Sequence, residues 1–215
     1  MSRGDGSIDA EVYSTYTHRS SVPRQVWRHL FETADREIGI LVYSGLFIAE
    51  DAELLRLLAN KARSGTTVRI VIGEPDSPHV NQRGQDEGIN GAMAAKIHNA
   101  ILLYRPLLAA GASIRLHSTV LYNSLYFGDD EMLINQHIHD IAAAYAPVLH
   151  LRRRRGRHLL DLRRQLRTRL GSGHARNSVA DAGTPLGHLR HPAYILQRLD
   201  QAVHTSRQSD ESSAL

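Results

Sequence analysis

The chain has 215 residues, enough for one domain of ordinary size with a tail, and it contains no cysteine. The lack of cysteine excludes disulfides and thiolate metal sites, and no apolar run is long enough to cross a membrane or to serve as a secretory signal. We therefore expect a cytoplasmic protein. The net charge of +4 is unevenly distributed, because residues 1–150 carry a charge of −4 and residues 151–215 carry +8.

Predicted helices and buried strands alternate over the first half of the chain. Apolar residues at helical spacing indicate the helices, and the apolar runs EIGILVY and TVRIVI indicate the strands. In chain order the predicted elements are a flexible lead or edge strand at 1–17, a helix at 20–36, a strand at 37–43, a helix at 51–63, a strand at 67–72, a loop at 73–88 and a helix at 89–109. This alternation predicts right-handed crossovers between parallel strands.

Residues 113–137 combine short apolar strands with many polar residues. We predict strands at 113–116, 121–127 and 132–135, with Asp129-Asp130 at a turn. The polar side chains of this stretch are expected to converge at one end of the sheet and bind a ligand, although some of them could equally hold the turn by hydrogen bonds. The candidate ligand-binding residues are His117, Tyr122, Ser124, Asp130, Asn135 and His137. Of these, the two histidines are also the candidates for a catalytic nucleophile.

The predicted fold is α/β, with a mixed, largely parallel sheet and helices on both faces. Open sheets of this class bind ligands at the carboxyl ends of their strands. Tyr43 and Ser44 follow the first buried strand, so we add both to the candidate site. Lys96 is added as a cation, and Arg19 or Arg105 would serve in the same way if they face this end of the sheet.

His137 and His139 are two residues apart, so on a strand both side chains would point to one face. That pair would bind a metal ion together with Asp129 or Asp140, but the sequence offers no clear third ligand. We therefore predict no metal site and no cofactor.

Six stretches of the chain carry a resemblance to a known family: HRSSVPRQVWRHLF, LVYSGLF, GEPDSP, AAKIHNAILLYRPL, RLHSTVLYNSLYFGDDEMLINQH and APVLHLRR. They resemble the phospholipase D superfamily, and most closely the phospholipase-D-like domain that follows helix-turn-helix modules in actinobacterial transcriptional regulators. The resemblance implies a phospholipase-D-like half domain at 18–152, between the lead at 1–17 and a tail at 153–215.

Catalysis in that superfamily depends on His-x-Lys followed by Asp and by a downstream Asn. The His attacks phosphorus, while Lys and Asn hold the phosphoryl oxygens. If His117 is the nucleophile, Thr119 stands at the Lys position. If Asp129 is the motif Asp, Tyr122 and Ser124 stand at the His and Lys positions. No register supplies both an imidazole and a cation, so we expect a pseudoenzyme.

The composition changes abruptly at Arg152, where the run RRRRGRHLLDLRRQLRTRLG begins. The resembling regulators continue instead with a helix that carries a Tyr, then Ser-Phe-Glu and a Trp. Codons can be chosen for residues 158–171 that read TSSTYADSFERVWA one nucleotide later, a string that contains this motif. We therefore predict that 153–215 is a frameshifted, largely disordered tail. The alternative is an Arg-rich tail that binds nucleic acid.

The leading functional prediction is a ligand-sensing or dimerisation domain of a transcription-regulatory system. It would bind a small polar or phosphorylated ligand and form a homodimer. The alternatives are a phosphodiesterase or nucleotide-processing enzyme with an altered His nucleophile, and a nucleic-acid binder that uses the Arg-rich tail. The sequence shows no helix-turn-helix, so it does not favour DNA binding by this chain itself, and we expect no membrane partner.

Overall fold

The computed structural model of the protein describes residues 12–152. Its strands are β1 (Val12–Tyr16), β2 (Glu37–Val42), β3 (Thr67–Gly73), β4 (Ser113–His117), β5 (Asn123–Gly128), β6 (Glu131–Gln136) and β7 (Val148–Arg152). Its helices are α1 (Arg24–Glu32), α2 (Leu46–Ala49), α3 (Ala52–Arg63), α4 (Pro78–Asp86) and α5 (Ala92–Ala109), and a 3₁₀ turn covers Arg19–Ser21. The predicted tail at 153–215 lies outside the described residues.

The described strands form one sheet, in the order β1-β7-β6-β5-β2-β3-β4. The strands β2, β3 and β4 are parallel, and helices connect them. The other neighbouring pairs are antiparallel. The α/β class and the mixed sheet are thus confirmed, whereas the sheet is mostly antiparallel and not largely parallel. The turn at Asp129-Asp130 is one reason, because it is far too short for the crossover that a parallel pair requires.

The helices α1, α3 and α5 pack against β5, β3 and β4, and α2 packs against α3 and α5. Tyr126 of β5 contacts Trp27 of α1 and Phe47 of α2 edge to face, with ring centroids 4.9 and 5.7 Å away. Two residues further along β5, Gly128 lies directly against the backbone of Leu30 in α1. Every residue of β2 is buried, so the centre of the sheet is covered on both faces, as its continuous apolar run predicts.

Residues 12–16, part of the predicted flexible lead or edge strand, form the edge strand β1. This strand pairs with β7 in antiparallel register. The Ser14 hydroxyl lies 3.4 Å from Nδ1 of His150, and the Arg152 guanidinium lies 3.9 Å above the Tyr13 ring. The first and last strands of the described chain therefore form this edge of the sheet together.

Residues 73–88, predicted as a loop, contain the helix α4. The Ser77 side chain accepts a hydrogen bond from the backbone N–H of Val80 at 3.2 Å, and Pro78 occupies the first turn. Both are ordinary helix-start signals, but the Gly, Asp and Asn around them favoured a loop. The longest helix, α5, runs 18 residues and continues through Pro106. Within residues 12–152, no helix is both long and apolar enough to cross a membrane.

Candidate functional site

Five predicted site residues meet where β2, β3 and β4 end and β5 begins. Tyr43 follows β2, and its ring centroid lies 5.8 Å from that of His117 and 5.5 Å from that of His137. Ser124 on β5 stands directly opposite Asn135 on β6. We call these five residues the polar cluster.

Both ring nitrogens of His137 form hydrogen bonds. Its Nδ1 lies 2.9 Å from the carbonyl oxygen of Leu121, so this nitrogen carries the proton and donates it. Its Nε2 lies 2.9 Å from Oγ of Ser124 and therefore accepts the hydroxyl proton. The network thus assigns one neutral tautomer and occupies the free electron pair that a nucleophile would need.

Burial is the main cause that lowers the pKa of His137 to about 4, with smaller contributions from the charges of Arg83 and Arg19. The hydrogen bond to the carbonyl of Leu121 opposes this shift. His137 is therefore neutral at physiological pH and does not attract an anion by charge.

His117 is held in a similar way at the end of β4. Its Nε2 lies 3.0 Å from the carbonyl oxygen of Val42, so it donates to that strand end. Its Nδ1 lies 3.4 Å from the backbone nitrogen and 3.3 Å from the hydroxyl oxygen of Thr119, and it accepts from them. Thr119 stands at the Lys position of the motif when His117 is taken as the nucleophile. It thus orients the imidazole and supplies no charge.

Asn135 is completely buried and ties β6 to the segment before β7. Its Nδ2 donates to the carbonyl oxygens of Ala146 and Pro147, each at 3.2 Å. Its Oδ1 is buried and accepts no hydrogen bond from the described residues. Leaving a buried acceptor unpaired costs about 1–3 kcal/mol in the stability of the fold.

Two predicted site residues lie elsewhere. Asp130 sits in the β5–β6 turn, at the other end of these strands, where its carboxylate lies 3.0 Å from a guanidinium nitrogen of Arg36. Residues 125–128 of β5, at about 3.3 Å per residue, separate that turn from Ser124. Lys96 is exposed on α5 and is not paired with the polar cluster among the described contacts.

The two remaining candidates lie at the rim of the site. Tyr122 is 78% exposed, and only its carbonyl oxygen takes part, accepting the backbone N–H of His137 at 3.0 Å. Ser44 is half-buried just after β2.

Asp129 confirms the interpretation of Asp129-Asp130 as a turn. Its carboxylate accepts the backbone N–H groups of Asp35, Arg36 and Glu37 at 2.8, 3.1 and 2.9 Å. Burial raises the pKa of this carboxyl, but the three hydrogen bonds and the charge of Arg36 together lower it below its usual value. This aspartate fixes the entry into β2 and contacts no site residue.

His137 and His139 do not share a face, because β6 ends at Gln136 before either of them. His137 turns to Ser124, whereas His139 is exposed and lies 3.5 Å from both Asp86 and Asp140. Among residues 12–152, no group of three or more His, Asp or Glu is arranged to hold a metal ion.

Arg19, one of the three possible cations, is connected to the polar cluster through its backbone. Its backbone N–H donates to the Ala146 carbonyl at 3.0 Å, the same oxygen that Asn135 binds. Its guanidinium lies 4.3 Å from the ring centroid of Phe47 and close to the Tyr126 hydroxyl. The sequence did not point to these aromatic neighbours, because Trp27 has the helical spacing of an ordinary core residue and Phe47 lies between a predicted strand and a predicted helix.

No family model and no curated protein matches this sequence. Among solved structures, TrmBL2, described as an archaeal chromatin protein with a novel mode of DNA binding, matches at 15% identity and a TM-score of 0.46 over 78% of this chain and 55% of its own. Nuc, a phospholipase D family member from Salmonella typhimurium, matches at 16% identity and a TM-score of 0.46, over 76% of this chain and 97% of its own. Polyphosphate kinase from Porphyromonas gingivalis matches at 16% identity and a TM-score of 0.44, over 77% of this chain and 27% of its own.

The chain thus spans about half the length of TrmBL2 and about a quarter of the kinase. At this level of likeness, the activities of these proteins are not transferred to it.

Proposed function

We propose that residues 18–152 are a catalytically degenerate phospholipase-D-like domain. In this proposal the polar cluster binds a small polar or phosphorylated ligand. The domain serves a transcription-regulatory system as a ligand-sensing or dimerisation unit. The sequence stretches that resemble the phospholipase-D-like domain of transcriptional regulators support this assignment.

The hydrogen bonding of the two histidines carries the proposal. A nucleophilic imidazole attacks with an unprotonated nitrogen, and in both residues that nitrogen already accepts a hydrogen bond, from Ser124 in His137 and from Thr119 in His117. Thr119 and Ser124 also occupy the Lys positions of the registers based on His117 and on Asp129, and a hydroxyl does not neutralise the charge of a phosphoryl transition state. The geometry therefore favours binding over hydrolysis.

The polar cluster keeps the properties of a binding site after catalysis is lost. Hydroxyl, amide and imidazole groups converge on one rim, and the buried Oδ1 of Asn135 accepts no hydrogen bond from the described residues. The rim lies at the carboxyl ends of β2, β3 and β4, where sheets of this class bind ligands.

A thermal-shift screen of the full-length protein tests the binding proposal. We expect a nucleotide or phosphorylated metabolite to raise the melting temperature, because a ligand at about 100 times its Kd stabilises the folded state by about 2.7 kcal/mol. The Ser124→Ala variant should lose this shift. The control Ser113→Ala, at the other end of β4, should keep it. A shift that survives Ser124→Ala would contradict the assignment of the polar cluster.

A phosphodiesterase assay tests the loss of catalysis. With bis(p-nitrophenyl) phosphate as substrate we expect no turnover above the uncatalysed rate. Turnover that disappears in His117→Ala would overturn the proposal in favour of an enzyme with an altered His nucleophile.

Sedimentation analysis tests the dimer. We expect a homodimer in solution, whereas a monomer at all concentrations would leave ligand sensing as the only role in the proposal.

A further inference from the structure

A cavity of about 260 Å³ lies on the helical side of the sheet, apart from the polar cluster. The 3₁₀ turn, α1, α2 and the start of α3 enclose it, and none of its lining residues belongs to the polar cluster. The lining residues that matter for its chemistry are Arg19, Arg24, Trp27, Phe47, Asp51 and Leu54.

The side chains that line the cavity include two arginines and one carboxylate, and the carboxylate of Glu53 lies 3.2 Å from Arg24 beside them. Arg24 binds the Asp51 carboxylate through two nitrogens, at 2.9 and 2.8 Å, so these two charges compensate each other. The same carboxylate caps α3 by accepting the backbone N–H groups of Glu53 and Leu54. Arg19 has no comparable carboxylate partner among residues 12–152. The guanidinium of Arg19 is therefore the group of the lining that an anion would bind.

Two aromatic rings form an apolar wall beside this cation. The ring centroids of Trp27 and Phe47 are 5.0 Å apart in an edge-to-face arrangement. The guanidinium of Arg19 lies over the Phe47 ring at 4.3 Å, which holds a flexible side chain in one place. Such a wall suits the flat face or edge of another ring.

The backbone that carries Arg19 is also fixed. Its N–H donates to the carbonyl of Ala146 at 3.0 Å, and the next N–H, that of Ser20, donates to the carbonyl of Ala144 at 3.1 Å. The hydroxyl of Ser20 donates to the same Ala144 oxygen at 3.2 Å. Because the cation is positioned before a ligand arrives, binding does not have to order it.

We propose that this cavity binds a small aromatic carboxylate, with the carboxylate on Arg19 and the ring against Trp27 and Phe47. The planar guanidinium matches the two oxygens of a carboxylate. The size also fits, because an apolar cavity of about 150 Å³ is sufficient for benzene. This site goes beyond the ligand proposed for the polar cluster and uses different residues.

Trp27 provides a direct measurement, because it is the only tryptophan of the chain. We expect benzoate, titrated into the full-length protein, to change the tryptophan fluorescence in a saturable way. Arg19→Gln should raise the Kd at least about tenfold, equivalent to losing about 1.4 kcal/mol of binding. Arg19→Lys should raise the Kd by an intermediate amount, because it keeps the charge but loses the planar guanidinium that binds both carboxylate oxygens. The control Arg28→Gln removes an exposed charge from α1, next to Trp27, and should leave the Kd unchanged.

Three results would overturn the site. They are a fluorescence that does not respond to benzoate, a Kd that Arg19→Gln leaves unchanged in a protein that still unfolds cooperatively, and neutral benzyl alcohol binding as tightly as benzoate. His117→Gln separates the two proposals, because its hydrogen-bond partners Val42 and Thr119 do not line the cavity. It should weaken binding at the polar cluster and leave the benzoate Kd as it is.

Discussion

His137 shows how position decides the chemistry of a single residue. Its imidazole is neutral mainly because it is buried, and the charges of Arg83 and Arg19 add to this effect. The same side chain in solvent would titrate near pH 6.5. The sequence contains the histidine but not this environment.

This environment makes the stability of the fold depend on pH. Between pH 6.5 and about 4 the unfolded chain binds a proton at His137 that the folded chain does not, so stability falls as the pH falls. Above pH 6.5 the contribution of neutral His137 to the free energy of unfolding is fully present. We expect this one residue to account for a loss on the order of 2–3 kcal/mol by pH 4.

Urea unfolding at several pH values in this range measures the effect. His137→Gln should flatten the pH dependence, whereas His29→Gln, at an exposed position of α1, should not change it. An equal slope in the wild type and in His137→Gln would refute the pKa assignment.

At the scale of elements, the contact between α1 and β5 depends on the absence of one side chain. A Cβ at Gly128 would meet the backbone oxygen of Leu30, and a backbone atom cannot move aside as a flexible side chain can. We expect Gly128→Ala to reduce the free energy of unfolding by about 3 kcal/mol or more. The matched control is Gly91→Ala, where a Cβ would meet open space and the loss should be about 1 kcal/mol at most. Chemical denaturation compares the two variants directly, and similar losses would contradict this packing.

A buried arginine of α4 holds the segment after β6 and also forms an ion pair. Arg83 lies 2.7 Å from Glu87, and both side chains are 6% exposed. The guanidinium of Arg83 also donates to the carbonyl oxygens of Ile138 and Ile141, each at 3.3 Å. One side chain thus fixes the loop that follows His137.

Breaking this pair from one side should be costly. Arg83→Met leaves Glu87 buried without its counter-charge, and we expect a loss of about 3–5 kcal/mol in the free energy of unfolding. The double variant Arg83→Met/Glu87→Met should recover part of that loss, because no lone charge remains. A double variant no more stable than Arg83→Met in urea unfolding would show that the unpaired charge of Glu87 is not the cause of the loss.

At the scale of the whole molecule, the first described strand, β1, pairs with the last described strand, β7. Ser14 and His150, which are hydrogen-bonded, are 136 positions apart in the chain. Bringing such distant segments together has a high entropic cost, so we expect β1 to pair with β7 late in folding.

Folding kinetics test this order of assembly. Tyr13→Ala removes the ring that lies 5.1 Å from His150 and 3.9 Å from the Arg152 guanidinium, at a cost of about 1 kcal/mol. If β1 pairs late, unfolding should accelerate about fivefold, while the folding rate stays nearly constant. Tyr145→Ala, at a residue that is 70% exposed, serves as the control. A slower folding rate with unchanged unfolding would place β1 in the folding nucleus instead.

The sequence by itself determined the elements whose signals are local. Continuous apolar runs predicted β2 and β3, and helical spacing predicted α3 and α5. The polar residues between the short apolar strands of 113–137 indicated the strand ends where the polar cluster lies. It also showed that no register of the catalytic motif contains both His and Lys, because that is a matter of residue identity alone.

The tertiary structure alone decided what depends on residues far apart in the chain. It placed Asp130 at the far end of β5, paired β1 with β7, and brought Arg19 beside Phe47 and Asn135. The protonation of His137 belongs to the same class, since a pKa is set by burial and by neighbours in space. Local propensity and spacing act over a few residues, whereas a site is formed by side chains that only the packed sheet brings together.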